Sequence, residues 1–123
     1  PNFDLSLAEG VMVLTPFSAD ATDEKTVNFV TEYNERFGET PNQFAADGYD
    51  CVYALKQAIE AAGCTPDMSY EDICTAMIEQ FTSMTFDGLT GTGMTWSTAG
   101  EVSKLPLAVV IQDGVYVSAE NAK

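Results

Sequence analysis

The sequence contains no histidine, and only five lysine and arginine residues stand against 19 aspartate and glutamate residues, for a net charge of −14. The missing histidine removes the commonest general base and the commonest metal ligand. The shortage of bases argues against nucleic acid as a partner, because neutralisation of phosphates supplies most of the affinity in such complexes. The same acidic surface favours solubility and is repelled by anionic membranes.

Long apolar runs are absent as well, so no segment is expected to insert into a membrane. Cysteine is scarce: Cys51, Cys64 and Cys74 form no C-x-x-C motif, and without histidine they predict no metal site. We expect Cys51 to be a small core residue within a helix. A Cys64–Cys74 disulfide stays an open alternative, since the sequence does not fix the geometry that the bond requires.

What is present is the pattern of an α/β protein. A chain of 123 residues can bury one core, which predicts a single unit, 1–123. Apolar periodicity predicts helices over 23–37, 43–62 and 70–81, with strands near 10–15 and 107–117. The run Val11–Leu14 is typical of a strand buried on both faces. Asp113-Gly114 between apolar runs predicts a tight hairpin.

Capping residues and small residues refine the helices. We expect Thr22 to cap the first helix and Ser69 to cap the third. In the second helix Asp50 is predicted to face away from the core, and Gly48 to permit a close approach of another backbone. The predicted buried stripe of that helix consists of Ala45, Tyr49, Val52, Leu55, Ile59 and Ala62.

No catalytic motif emerges. The glycine-rich run 88–93 resembles a phosphate loop, but no helix follows it, so we interpret it as a series of turns. Pairs of carboxylates could act as acid and base or bind calcium, yet most of them suit helix N-termini and solvated faces better. Phe44, Tyr49 and Tyr53 form an aromatic group at helical spacing, which is usually a core pattern.

Several segments in a fixed order resemble the C-terminal third of the substrate-binding proteins of branched-chain amino-acid ABC transporters, which are type I periplasmic binding proteins. The resemblance spans roughly Leu7 to Val117. It is carried by the helix Thr40–Gly63 and, around it, by Glu9-Gly10-Val11, Tyr33–Gly38, Phe86–Gly91 and Gln112–Tyr116.

The resemblance implies a fragment of a fold with two α/β lobes, which close on a ligand by bending at a hinge. Residues 20–100 would be the helical part of the first lobe, while 10–16 and 107–117 would be strands of the second. In the family an aromatic residue at the position of Phe44 lines the pocket for the ligand's side chain, and Asp47, one turn further, could reach the cleft. The groups that bind the ligand's carboxylate and ammonium would lie outside this chain. No cofactor and no metal are implied.

The expected function is solute binding for an ABC importer, with an amino acid, branched-chain or similar, as the ligand and a permease as the partner. No covalent chemistry is involved, and the protein is expected to be exported, either periplasmic or lipid-anchored. A sensor or receptor domain of the same fold is one alternative, and a small α+β enzyme that uses carboxylates is another. The unmatched apolar faces of such a fragment predict self-association, most simply as a symmetric dimer.

Overall fold

The structure, a computed structural model, describes residues 4–122 apart from the side chain of Leu5. Within that range the fold is α/β, as predicted, with three α-helices, three strands and a short 3-10 turn at Leu5–Ala8. The helices are α1 (Glu24–Phe37), α2 (Gln43–Ala61) and α3 (Tyr70–Phe81), and the strands are β1 (Met12–Thr15), β2 (Leu107–Gln112) and β3 (Val115–Ser118). The predicted elements are therefore confirmed within three residues at each boundary.

The chain divides into two compact units. Unit 1 consists of Pro1–Ala46 and Leu105–Lys123, and unit 2 is the continuous segment Asp47–Lys104. The assignment of 20–100 to one lobe and of 10–16 and 107–117 to the other concerns the complete two-lobe fold, and it stays a prediction.

Polar side chains begin the helices. The Asp23 carboxylate, and not Thr22 as predicted, caps α1 by accepting the N–H of Thr26 at 2.9 Å. Aspartate accepts more strongly than a hydroxyl at the positive end of a helix, which explains the difference. Burial alone raises the pKa of Asp23, but the hydrogen bonds from Thr26 outweigh it and lower the pKa overall. The predicted cap of α3 is confirmed, because the Ser69 hydroxyl accepts the N–H of Asp72 at 3.2 Å.

Unit 1 contains an antiparallel sheet in the order β1-β2-β3. The predicted hairpin is confirmed: Asp113 and Gly114 have φ values of 53° and 77°, which a tight type I′ turn requires. The expectation that β1 is buried on both faces is wrong, since Met12 is 62% and Leu14 66% exposed. In an antiparallel sheet one face can stay open, and the fully buried residues of β2, Val109 and Ile111, lie on one face of the strand.

Two carboxylates join distant parts of unit 1. Glu9 accepts the N–H of Asp113 in the hairpin turn at 3.1 Å. Asp20, in the link between β1 and α1, accepts the hydroxyl of Ser18, the N–H of Ser118 at 3.0 Å and the amide of Asn121 at 3.3 Å. The segment that follows β3 is thus tied to the link that follows β1.

Unit 2 packs against the side of α2 on which the apolar residues are small. The buried residues of this helix within unit 2 are Asp50, Ala54 and Ala58, at intervals of four. The predicted stripe of larger residues is wrong, and so is the predicted burial of Cys51, which is exposed and, like Cys64 and Cys74, free. Small residues let other chain segments approach the helix axis closely, and that closeness decides which side is covered.

A loop packs on this side of α2 through the Asp50 carboxylate. Its Oδ1 accepts the N–H of Leu89 at 2.7 Å, and its Oδ2 accepts the N–H of Thr90 at 2.8 Å and the hydroxyl of Thr90 at 2.6 Å. At Gly88 a Cβ atom would collide with the same carboxylate. The close approach that we predicted for Gly48 is therefore found at Gly88, while the position of a Cβ at Gly48 has no neighbour within 4 Å.

The apolar core of unit 2 lies beside this loop. Ala54, Phe86 and Met94 are buried together, and Phe86 pairs with Met94 in an antiparallel bridge. Partly buried neighbours complete the cluster: Phe81, Met84 and Trp96. Phe81 ends α3, so the cluster anchors α3 to the bridge as well as to α2.

The first prediction concerns Asp50. Asp50→Ala should lower the free energy of unfolding by about 3 kcal/mol, because it leaves the loop N–H groups without their charged acceptor. Thr90→Val, which removes only one donor, should cost about 1 kcal/mol. Denaturant unfolding measures both changes. The control Asp67→Ala removes an exposed carboxylate of the same unit and should change the free energy of unfolding by less than about 0.5 kcal/mol. If Asp50→Ala lowers the free energy of unfolding no more than Asp67→Ala does, the role given to Asp50 is wrong.

The second prediction concerns pH. Burial by itself raises the pKa of Asp20, but the hydrogen bonds from Ser18, Ser118 and Asn121 outweigh it, so the pKa lies below the ordinary value of 3.8. A carboxyl with a lowered folded pKa contributes stability that is fully present above its unfolded pKa and is lost as the pH falls through the folded pKa. Unfolding measured from pH 7 down past 3.8 should show a steeper loss for the native chain than for Asp20→Asn. Parallel curves would contradict this.

Candidate functional site

The first turn of α2 is held by a polar network. Asn42 caps the helix, with its side-chain oxygen accepting the N–H groups of Phe44 at 3.0 Å and Ala45 at 3.2 Å. Gln43 accepts the hydroxyl of buried Thr15, at the end of β1, at 2.7 Å. The same hydroxyl accepts the N–H of Phe17 at 3.3 Å. The start of α2 is therefore fixed to the end of β1 by side chains of unit 1.

Phe44 stands on this anchored turn with its side chain in solvent. It is 72% exposed, in contrast to the usual position of an aromatic ring at helical spacing. Such a large exposed apolar side chain on a rigid turn is available to a ligand or to another part of a longer protein. Its predicted role as a ligand contact stays a prediction.

Asp47 begins unit 2, and its carboxylate has a partner in that unit. Lys104 Nζ donates to Asp47 Oδ1 at 2.5 Å, and the side chains of Lys104 and Asp47 are 27% and 35% exposed. The resemblance suggested Asp47 as a ligand contact but gave no sign of Lys104. The carboxylate is consequently not a free negative charge in this structure.

The other aromatic residues of the group lie further along α2. Tyr49 and Tyr53 contact each other, with ring centroids 4.5 Å apart. A groove of about 410 Å³ adjoins Tyr53 in unit 2, and among the described residues that line it only Glu60 has a carboxylate, which Lys56 holds at 2.9 Å. The groove therefore does not offer the converging acids that an enzyme of the carboxylate type would need. Its lining is Tyr53, Lys56, Gln57, Glu60, Ala61 and Phe86.

Three further acidic residues have structural partners. Asp20 and Asp23 bind backbone N–H groups of unit 1, and Asp72 takes part in the cap of α3. In residues 4–122, where the placement is described, no group of three or more candidate ligands could hold a metal ion. None of the helices described is long and apolar enough to cross a membrane.

Sequence reasoning missed Thr15, Gln43, Asp50 and Lys104. One signal for Asp50 was available: a row of small residues four apart along α2 runs through its position, and that row is the buried one. Lys104 lies 57 positions from Asp47, and no local pattern connects them.

Solved structures of similar fold come from several bacteria. A structure from Rhodospirillum rubrum, assigned to branched-chain amino acid ABC transport, is 28% identical with a TM-score of 0.66, and the match covers 90% of this chain and 31% of that one. The leucine-binding protein LivK of Thermotoga maritima is 25% identical with a TM-score of 0.69, over 90% of this chain and 30% of its own. An ABC transporter substrate-binding protein of Desulfitobacterium hafniense, solved with Leu, shares the fold at 24% identity and a TM-score of 0.75, over 92% and 32% of the two chains.

The chain thus spans about a third of the length of the solved structures that it matches. No curated protein sequence matches it. The family model described as periplasmic binding protein matches residues 3–114, which is nearly all of the chain. The fold, the order of the segments and this match agree, and the chain belongs to the periplasmic binding protein family.

Proposed function

We propose that this chain is the C-terminal part of the solute-binding component of an ABC importer. The observation that carries the proposal is the family match over residues 3–114, supported by relatives whose names refer to branched-chain amino acids and leucine. The chain covers only about 31% of such relatives, so ligand binding is proposed for the two-lobe protein that contains it. That protein binds an amino acid, branched-chain or similar, without covalent chemistry.

The transport role implies the place and the partner. The two-lobe protein is exported, to the periplasm or to a lipid-anchored position on the cell surface, and it delivers its ligand to a permease. The net charge of the chain is −14, which suits a protein that releases its ligand beside an anionic membrane without binding to the lipid.

Phe44 is the proposed contact for the ligand's side chain. Its turn is anchored by the Asn42 cap and by the Thr15–Gln43 hydrogen bond, so little backbone entropy is lost when a ligand covers the ring. Asp47 is the second proposed contact, through a carboxylate that Lys104 already holds.

The test of this function is binding of leucine to the two-lobe protein, measured by calorimetry. Phe44→Ala should weaken binding by about 1–3 kcal/mol, the magnitude expected when a buried aromatic contact is lost. Phe37→Ala removes a similarly exposed ring from α1 and serves as the matched control, with unchanged affinity. Equal affinities of the native protein and a folded Phe44→Ala variant would contradict the role of Phe44. The absence of binding to any amino acid would contradict the function.

The 123-residue chain by itself is expected to form a symmetric dimer. Both outer strands of the sheet carry large exposed apolar residues, including Leu14 on β1 and Tyr116 on β3. Edge strands with such side chains readily pair with a second copy. Sedimentation equilibrium at micromolar concentration should show the dimer, and Leu14→Glu should shift it toward monomer. Thr31→Glu adds the same charge at an exposed polar position and should not. A native chain that is monomeric would contradict this proposal.

A further inference from the structure

The ion pair between Asp47 and Lys104 differs from the other ion pairs of the described residues. It joins residues 57 positions apart, and both side chains are about two-thirds buried or more. Two further pairs each link residues four apart on one exposed helix surface, where ion pairs contribute little. They are Arg36–Glu32 and Lys56–Glu60.

The pair also has a distinct place in the chain. Asp47 is the first residue of unit 2 and Lys104 is the last, so the two charges close the unit where the chain enters and leaves it. Among the bases that the structure describes, Lys104 alone is not exposed. One of only five bases in the sequence is thus held beside a specific carboxylate, away from most of the solvent.

The charge balance makes this position significant. A chain of net charge −14 attracts cations to its surface, and a free carboxylate at a ligand-binding position would add a local preference for a positive group. An ammonium at 2.5 Å from that carboxylate brings the net charge of the pair to zero, and partial burial limits the screening of both charges by solvent. The Asp47–Lys104 pair therefore carries no net charge toward a ligand that contacts Asp47.

We propose that Lys104 neutralises Asp47 and thereby selects amino acids with uncharged side chains over those with cationic side chains. The inference rests on the proposed function, in which Asp47 contacts the ligand. Lys104 is a positioning residue in this role, because it acts on the ligand through Asp47. When Lys104 loses its charge, the freed carboxylate becomes an acceptor for a guanidinium or ammonium group on the ligand's side chain.

The experiment compares leucine and arginine as ligands of the two-lobe protein by calorimetry. In Lys104→Met, which keeps the length of the side chain, the ratio of arginine affinity to leucine affinity should rise about tenfold, because a charge is uncovered in a position that is about two-thirds buried. Lys104→Arg keeps the charge and should keep the native ratio. Lys56→Met removes one positive charge from the exposed pair in the same unit and should also keep it.

A double variant separates the effect of Asp47 from that of net charge. Asp47→Asn combined with Lys104→Met has no carboxylate to uncover, so its ratio should not rise above the native one. If Lys104→Met does not fold, as judged by circular dichroism, Lys104→Gln takes its place in the comparison.

The possible failures are distinguishable. If the native protein binds leucine and a folded variant without the Lys104 charge keeps the native ratio, the inference is wrong and the proposed function stands. An equal rise of the arginine-to-leucine affinity ratio in Lys56→Met or in the double variant also overturns the inference. The cause would then be the change in net charge, or a loss of packing around the site. If the native protein binds neither ligand nor any other amino acid, the proposed function itself is wrong, and the inference with it.

Discussion

Unit 2 depends on the Asp50 carboxylate. A loop that packs closely on a helix carries backbone N–H groups that water no longer reaches, and each one needs an acceptor. Asp50 supplies acceptors to two such groups and to the hydroxyl of Thr90, with three bonds of 2.6–2.8 Å. The same bonds offset the cost of removing this carboxylate from water, since Asp50 is only 5% exposed. Position 88 must be glycine because a Cβ atom there would collide with the Asp50 carboxylate. The bridge between Phe86 and Met94 closes the two ends of this loop. Neither the loop nor the acid is tolerable in this position without the other.

The elements of the fold were predictable because their signals are local. The Ser69 cap and the Asp113-Gly114 turn each act within a few residues, and each was identified from the sequence. The covered side of α2 was not predictable. Hydrophobicity favoured the larger residues of the helix, whereas close packing selected a row of small residues that includes a charged one. An aspartate in the middle of a helix counts as polar in any periodicity argument. Only its hydrogen-bond partners, some 40 positions further along the chain, make its burial favourable.

In the candidate site, too, local features were predictable from the sequence and contacts between distant residues were not. The position of Phe44 at the opening of α2 follows from the predicted helix 43–62, and the structure places its ring in solvent, outside the core. What the sequence could not show is how the charges nearby are arranged. Lys104 reaches Asp47 from the other end of unit 2, and Thr15 reaches Gln43 from the end of β1. Pairs of this kind depend on the tertiary path of the chain, so a pattern within either segment is silent about the other.

The bond between Asp20 and the backbone of Ser118 spans 98 positions, and that between Glu9 and Asp113 spans 104. Unit 1 is made of two segments from opposite ends of the chain, whereas unit 2 is continuous. During synthesis, then, unit 2 has all its residues available while β1 still waits for β2. Contacts so distant in sequence form slowly, and the backbone N–H and C=O groups of β1 stay without their partners on β2 in the meantime. On the ribosome, β1 is therefore an unpaired strand, open to other strands, from the emergence of Val13 until that of its partner Val109.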